Sequence, residues 1–319
     1  MAYLIIQIPC YNEAETLPET LGDLPLEIPG ISKIETLIID DGSTDDTVTV
    51  AERLGVNHIV RHNTNRGLAT VFETGINTCL ELGADIIVNT DGDNQYPGQD
   101  IDRLIEPILQ GQADMVIGDR QTKTISHFSP LKRLLQRLGS NAVEMAAGIK
   151  IPDAASGFRA FSRDAALRIN IFTKYTYTLE TIIQAGKKGI TITSIPITTN
   201  DPLRESRLKK SDWDYVKRSA LTILRIYTFY EPLKTFLLLG ITFLLPGLFL
   251  LLRFFYFYVT AQSGVARFVQ SVVIGGTLTI VGVLIVILGI LADLISANRL
   301  ISEELIYRLK KNDVSASQK

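Results

Sequence analysis

Ile86-Ile87-Val88-Asn89-Thr90-Asp91-Gly92-Asp93-Asn94-Gln95-Tyr96-Pro97 is the stretch on which the reading of the chain turns. An apolar run of β type stops at two carboxylates one residue apart. A carboxamide follows two positions later, and a proline closes the turn. Asp91, Asp93 and Gln95 are hard oxygen donors of the kind Mg²⁺ or Mn²⁺ accepts, and they leave coordination positions for a diphosphate. Asp-x-Asp by itself also suits a helix cap or a turn, so the neighbouring chain has to decide.

Working outward, short apolar runs alternate with helical periodicities. Tyr3–Ile8 reads as a strand, followed by the turn Pro9-Cys10-Tyr11 and by Asn12, which can cap a helix with Glu15 at the capping-box position. Ile34–Ile39 is a second strand running into Asp40-Asp41-Gly42-Ser43-Thr44-Asp45-Asp46, where Ser43 and Asp46 form another capping box for a helix through Leu54. Asn57–His62 is a strand, Gly67–Leu82 a helix, Asp85–Thr90 the strand of the opening stretch, Pro97–Leu109 a helix and Ala113–Gly118 a strand. This alternation predicts an α/β domain with a mostly parallel, Rossmann-like sheet covered on both faces. Ligands of such sheets bind beyond the carboxyl ends of the strands. Three polar clusters stand there: Pro9–Glu13, Asp40–Asp45 and Asp91–Gln95. None is a glycine-rich phosphate loop. Carboxylates beside a diphosphate need a divalent cation between them, so the expected ligand is a nucleotide diphosphate with metal.

The chain has 319 residues, 46% of them hydrophobic, and a net charge of −2. That leaves ample material for a core and argues against an electrostatic nucleic-acid binder. Cys10 and Cys79 stand in apolar contexts, as free thiols of a reducing compartment would. His58, His62 and His127 show no ligand spacing and receive no role. Leu4–Ile8 has no basic residues before it and is cut by Pro9, so no signal peptide is expected there.

The last third differs in kind. Thr235–Leu252 is 18 residues without a charge and Phe268–Ala292 is 25, each enough to cross a bilayer as a helix. Basic residues flank the pair on its outer sides (Lys217, Arg218, Arg225 and Lys234; Arg299, Arg308, Lys310, Lys311 and Lys319), while the link has Arg253 and Arg267. Both chain ends are therefore expected in the cytoplasm, with the aromatic cluster Phe254–Tyr258 at the far interface. Trp213–Tyr230 carries an apolar stripe and reads as an interfacial helix. Phe128–Met145 is a further amphipathic stretch, expected to pack on the domain. The expected organisation is a cytoplasmic catalytic domain over 1–210, an interfacial helix over 211–232, two transmembrane helices over 233–296 and a cytoplasmic tail over 297–319. The protein is expected in a lipid bilayer, a bacterial plasma membrane.

The ordered clusters Pro9-Cys10-Tyr11-Asn12-Glu13, Asp40-Asp41-Gly42-Ser43-Thr44-Asp45 and Asp91-Gly92-Asp93-Asn94-Gln95 resemble the nucleotide-binding signatures of GT-A family 2 glycosyltransferases. Asp153-Ala154-Ala155-Ser156-Gly157-Phe158-Arg159 narrows the resemblance to the polyprenyl-phosphate sugar transferases, the dolichol-phosphate mannose synthase-like group. Two spans after the domain fit its membrane-anchored branch. The resemblance implies that Pro9, Tyr11, Asn12, Glu13, Asp41 and Asp91 hold the nucleotide. It implies that Asp93 and Gln95, with Asp91, hold Mg²⁺ or Mn²⁺. It places Glu180 near the sugar and admits a homo-oligomer.

The implied reaction is inverting transfer from a UDP- or GDP-linked sugar to a polyprenyl phosphate. A phosphate monoester is largely dianionic at neutral pH, so no dedicated base is required. What the acceptor needs is cationic clamping, for which Arg120, Arg159, Arg204, Arg207 and Lys209 are candidates. The chain departs from the group at Glu205-Ser206-Arg207-Leu208, where many relatives have glycine, serine, lysine, leucine. Two alternatives are a transferase to a lipid or sugar hydroxyl, whose processive forms carry a Gln-x-x-Arg-Trp motif absent here, and a non-catalytic nucleotide-sugar-binding membrane scaffold.

Overall fold

The computed structural model describes residues 2–121, 143–144, 147–171, 177–200, 220–221, 224–225, 227–260 and 269–317. The chain forms two compact units, Met1–Ile223 with Leu305–Lys319, and Leu224–Glu304. The first unit is built on strands β1 (Ala2–Cys10), β2 (Ile31–Asp40), β3 (His58–Arg61), β4 (Ile86–Asn89), β5 (Met115–Asp119), β6 (Arg159–Ser162) and β7 (Ile192–Pro196). Its helices are α1 (Leu17–Gly22), α2 (Thr47–Arg53), α3 (Leu68–Glu81), α4 (Ile101–Leu109), α5 (Arg163–Arg168) and α6 (Tyr177–Lys187), with a 3₁₀ turn at Gly98–Asp100.

The strands make one sheet in the order β3-β2-β1-β4-β6-β5-β7. The mostly parallel sheet expected from the alternation is present. β1 lies between β2 and β4, parallel to both, and Leu4, Ile5, Ile6 and Ile8 are fully buried. A strand covered on both faces must be apolar at successive positions, which is why the run does not alternate. Gly75 lets α3 lie close on the sheet, since a Cβ there would fall 2.3 Å from Gln7 Oε1 and 2.8 Å from Ile39 Cδ1.

β6 and β7 were not foreseen. β6 is short and runs antiparallel to both β4 and β5, with Arg159 opposite Asn89. That direction matters for function: the chain entering β6 arrives at the end of the sheet where β4 delivers Asp91. Two capping expectations are corrected. α1 starts at Leu17 after Thr16, and α2 starts at Thr47 after Asp46 without a side-chain cap bond. Asn12 and Ser43 instead tie two turns together, as described below.

At the opposite end of β2, Glu35 accepts hydrogen bonds from Tyr3 and, at 2.8 Å, His58 Nε2, and pairs with Lys33 Nζ at 2.6 Å. Burial alone would raise its carboxyl, but these bonds, from Lys33, Tyr3 and His58, outweigh it and hold the pKa at about 2.

Residues 305–317 belong to the first unit and continue the last helix. Tyr307 Oη donates to Asp164 Oδ1 at 2.8 Å, with the Arg168 guanidinium 4.8 Å from its ring centroid. Lys310 Nζ donates to Asn170 Oδ1 at 3.2 Å, and Val314 is buried.

The second unit contains most of two long apolar helices, α7 (Pro232–Thr260) and α8 (Val269–Ser317). Both are long and apolar enough to cross a membrane. α7 extends past the charge-free run, so Arg253 and the aromatic cluster lie within its last turns. Their packing rests on glycines seven residues apart, Gly240 and Gly247 against Gly275, Gly282 and Gly289. A Cβ on Gly247 would stand 2.8 Å from Thr279 N and 2.9 Å from Gly275 O, and one on Gly282 would stand 2.9 Å from Leu244 N. Backbone therefore meets backbone, a contact that supplies dispersion energy where lipid removes the hydrophobic drive. The expectations for most of Phe128–Met145 and of Trp213–Tyr230, and for His127, Arg204, Arg207 and Lys209, lie outside the described residues.

Two outcomes follow from these contacts. Gly247→Leu or Gly282→Leu should destabilise the helix pair by about 1–3 kcal/mol, read as earlier thermal unfolding in detergent. Gly276→Leu, which meets open space, should not. Because the Glu35 pKa lies below its ordinary value, its stabilisation is complete above about pH 4.5 and lost as pH falls toward 2. Glu35→Gln should therefore flatten the fall in stability across that acid window, measured by urea unfolding at stepped pH.

Candidate active site

The strand-end clusters are knitted together by side chain to backbone bonds. Asn12 N donates to Ser43 Oγ and Asn12 Oδ1 accepts from Thr44 N, both at 2.8 Å. Glu13 N donates to Thr47 Oγ1 at 2.8 Å and Ala14 N to Asp45 Oδ2 at 3.1 Å. Asn12 has φ 55°, a left-handed conformation that asparagine tolerates better than most residues. The turns after β1 and β2 thus form one surface, with Tyr11 exposed on it.

Asp41, expected to hold the nucleotide, is also a structural anchor. It is buried, its Oδ1 accepts from Arg66 N at 2.9 Å and meets His62 Nδ1 at 2.9 Å, and its Oδ2 accepts from Gly67 N at 2.8 Å. His62 Nε2 lies 3.1 Å from Thr74 Oγ1. Through these bonds Asp41 shapes the loop between β3 and α3, and His62, given no role from sequence, holds it there. Gly42, at φ 73°, makes room for that loop, because a Cβ would fall 2.9 Å from the Thr64 carbonyl carbon.

The Asp91–Gln95 turn is pinned from two sides. The Gly92 carbonyl accepts from Thr16 Oγ1 at 2.7 Å and Thr20 Oγ1 at 3.1 Å. Asn200 donates from Nδ2 to the Asn94 carbonyl at 2.9 Å and from its backbone N to the Gln95 carbonyl at 3.0 Å. Gln95 N donates to Asp93 Oδ1 at 3.2 Å. Gly92 also brings the first cluster close, a Cβ there falling 3.3 Å from both Cys10 Sγ and Glu13 Cγ.

Behind Asp91 lies a buried polar chain. Gln7 Nε2 donates to Asn89 Oδ1 at 2.8 Å, and Asn89 Nδ2 donates to Gly157 O and Tyr177 Oη, each at 2.9 Å. Tyr177 stacks on Phe72 with centroids 3.9 Å apart. Gly157 N donates to Tyr96 Oη at 3.2 Å. A Cβ on Gly157 would be 3.2 Å from both carboxylate oxygens of Asp91, so glycine lets this loop close over that carboxylate.

Arg159 and Arg120 were expected at the acceptor phosphate. Arg159 is 0% exposed and spends its donors inside the protein, on Ser156 O, Thr178 O, Thr181 Oγ1 and Ala154 O at 2.6–2.9 Å. It builds the Asp153–Gly157 loop and does not face an acceptor, a consequence of its place at the start of a central antiparallel strand. Arg120 grips Asp153 with two bonds, Nε to Oδ2 at 2.7 Å and Nη2 to Oδ1 at 2.9 Å. Glu180 is buried in the first turn of α6, where Gln184 Nε2 donates to it at 3.4 Å. Gln7, Asn89, Tyr96, Tyr177 and Asn200 were missed from sequence. Gln7 and Asn89 carried a signal, as polar residues inside otherwise apolar strands.

Burial, then Asp93 and Glu13, push the Asp91 carboxyl up to about 7, against the pull of Arg120 and Arg159. Carboxylates crowded around an acid already pushed toward neutrality are what a divalent cation relieves. Among the described residues no group of three or more His, Cys, Asp or Glu side chains forms a metal cage. That donor set suits a cation held by one or two carboxylates and completed by phosphate oxygens. Asp91, Asp93 and Gln95 fit such an ion. If Arg159 is internal scaffolding, Arg159→Ala should cost about 3–5 kcal/mol in urea unfolding by stranding buried acceptors, whereas a residue serving only an acceptor would leave stability unchanged.

The profile of Glycosyl transferase family 2 matches residues 5–169. Glycosyltransferase AglJ of Haloferax volcanii is 30% identical over 298 residues, covering 91% of this chain and 92% of that protein. The UDP-N-acetylglucosamine–dolichyl-phosphate N-acetylglucosaminyltransferase of Methanococcus voltae is 30% identical over 221 residues, covering 62% and 85%. Glucosyl-3-phosphoglycerate synthase of Mycobacterium tuberculosis, solved with Mn²⁺ and UDP-glucose, shares the fold at 17% identity with a TM-score of 0.54, over 71% of this chain and 79% of that one. The profile runs through every strand-end cluster and the loop that closes over Asp91, and the chain belongs to glycosyl transferase family 2.

Proposed function

We propose that this glycosyltransferase moves a sugar from a UDP- or GDP-linked donor to a polyprenyl phosphate at the cytoplasmic face of the membrane, with inversion at the anomeric carbon. The observation that carries the reading is the pinned Asp91–Gln95 turn, with its crowded carboxylates, in a chain that also contains two bilayer-length apolar helices. The Methanococcus voltae relative is named for a dolichyl-phosphate acceptor, and the same acceptor class fits here.

In this mechanism the surface made by Pro9, Tyr11, Asn12 and Glu13 receives the nucleoside, with Tyr11 offering a ring for stacking. Asp93 and Gln95, with Asp91, would hold Mg²⁺ or Mn²⁺ against the donor diphosphate. Such an ion supplies neutralisation of the leaving group's charge. The acceptor phosphate oxygen attacks the anomeric carbon, and the bond to the nucleoside diphosphate breaks with its electron pair leaving on that group. No proton has to move, because the acceptor arrives ionised. Arg120 sets positive charge beside Asp91 and fixes Asp153, while buried Arg159 adds a cation beneath the site. Arg204, Arg207 and Lys209 are the proposed clamp on the acceptor phosphate.

The make-up of the first unit supports a topology. Residues 305–319 share it with the N-terminal domain, so both belong on one side of the membrane, as two spans allow. The basic flanks favour the cytoplasmic side. Residues 211–232 would then lie along that leaflet.

The test is a screen of radiolabelled UDP- and GDP-sugars with the purified protein in vesicles containing polyprenyl phosphate, with Mg²⁺, Mn²⁺ or chelator. The expected product is a lipid-linked sugar released by mild acid, lost on chelation and reduced by at least about 100-fold in Asp93→Asn. An acid-stable glycoside would establish a hydroxyl acceptor instead. Donor binding without turnover on any acceptor would establish a binding scaffold.

A further inference from the structure

The Asp91–Gln95 turn owes part of its shape to a residue far away in sequence. Asn94 is buried with φ 55°. A left-handed residue turns its carbonyl away from the partners of a regular turn, so that carbonyl needs a donor from elsewhere. Asn200 supplies it, bonding the Asn94 carbonyl through Nδ2 at 2.9 Å, and its own N–H takes the next carbonyl, that of Gln95, at 3.0 Å. One residue thus holds two consecutive carbonyls of the turn, in the two peptides that flank the Gln95 Cα.

Asn200 is itself well anchored. Ile197 N donates to Asp119 O at 2.9 Å, and Thr198 N donates to Asp100 Oδ2 at 3.2 Å. Arg103 joins the same support, donating from Nη1 to Asp100 Oδ1 at 2.9 Å and from Nη2 to Pro196 O at 3.1 Å. The segment leaving β7 is therefore fixed to α4 and β5 before it reaches the turn. The opposite pin, from Thr16 and Thr20, holds only the Gly92 carbonyl. Asn200 is what fixes the half of the turn carrying Gln95 and the amide that bonds Asp93.

We propose that Asn200 is a positioning residue for the cation and donor diphosphate, holding Asp93 and Gln95 in ligating register without touching either ligand. This rests on the cation reading above. Removing the Nδ2 donor lets the Asn94–Gln95 peptide rotate, which separates the two side chains that must meet one ion. Donor binding should suffer and acceptor binding should not.

The experiment compares Asn200→Ala, Asn200→Asp and the exposed neighbour variant Thr199→Ala with the wild-type chain. Mn²⁺ binding is followed by electron paramagnetic resonance with UDP or with GDP, beside thermal unfolding and steady-state kinetics. Asn200→Ala and Asn200→Asp should bind Mn²⁺ about five- to tenfold more weakly, with KM for the donor rising in step and KM for the polyprenyl phosphate unchanged. Thr199→Ala should match wild type. Asn200→Asp keeps the size and the backbone donor, so it carries the comparison if the alanine variant fails to fold. Wild-type Mn²⁺ affinity in a folded Asn200 variant, even one with lowered thermal stability, would overturn this inference alone. Wild-type protein that binds nucleotide but no Mn²⁺ would overturn the cation reading and this inference with it.

Discussion

Two carboxylates one residue apart at the end of a buried strand repel each other, and a chain that keeps them there has to restrain them by other means. Asp91 shows the cost directly: burial and the charges of Asp93 and Glu13 drive its carboxyl toward neutrality. The restraints come from all around it. Thr16 and Thr20 hold the Gly92 carbonyl, Asn200 holds those of Asn94 and Gln95, and Gly157 lets a loop close on Asp91 from behind. The loop is in turn hung on Arg159, a fully buried cation whose donors are spent on it and on α6. Much of the polar interior serves to keep an electrostatically unfavourable arrangement in place, one that the proposed cation and diphosphate would relieve.

The direction of one short strand makes this assembly accessible. β6 runs against β4, so Arg159 stands opposite Asn89 and the Asp153–Gly157 loop reaches the carboxyl end of β4. An all-parallel sheet would have sent that loop to the other end. The fourth motif joins the first three through topology, although it lies far along the chain from Asp91.

The sheet's parallel half was legible because strands buried on both faces leave unbroken apolar runs, and because carboxylates stand where those runs stop. The antiparallel insertion was not, since four residues beginning with arginine give no period. Asn12 and Ser43 were read as caps because their side chains can serve nearby backbone; the partners they take lie 31 or 32 residues away, and local sequence does not encode that choice. Arg159 was read as a phosphate clamp because arginine suits bidentate phosphate contacts, and nothing local to its motif tells that its donors go to backbone carbonyls and Thr181 instead. Asn200 carries no local signal at all. The glycines of α7 and α8, by contrast, are written in the sequence at intervals of seven, and only the facing backbone shows what that spacing does.

If the strand-end turn holds a divalent cation against the donor's diphosphate, as proposed above, the ion itself can be located. Anomalous scattering at the manganese edge, from crystals of the protein grown with Mn²⁺ and UDP or GDP, tests that proposal most directly. The expected result is one manganese peak in contact with Asp93 and the diphosphate, with Asp91 or Gln95 beside it. Nucleotide bound at the strand ends with no manganese between it and Asp93 would contradict the claim.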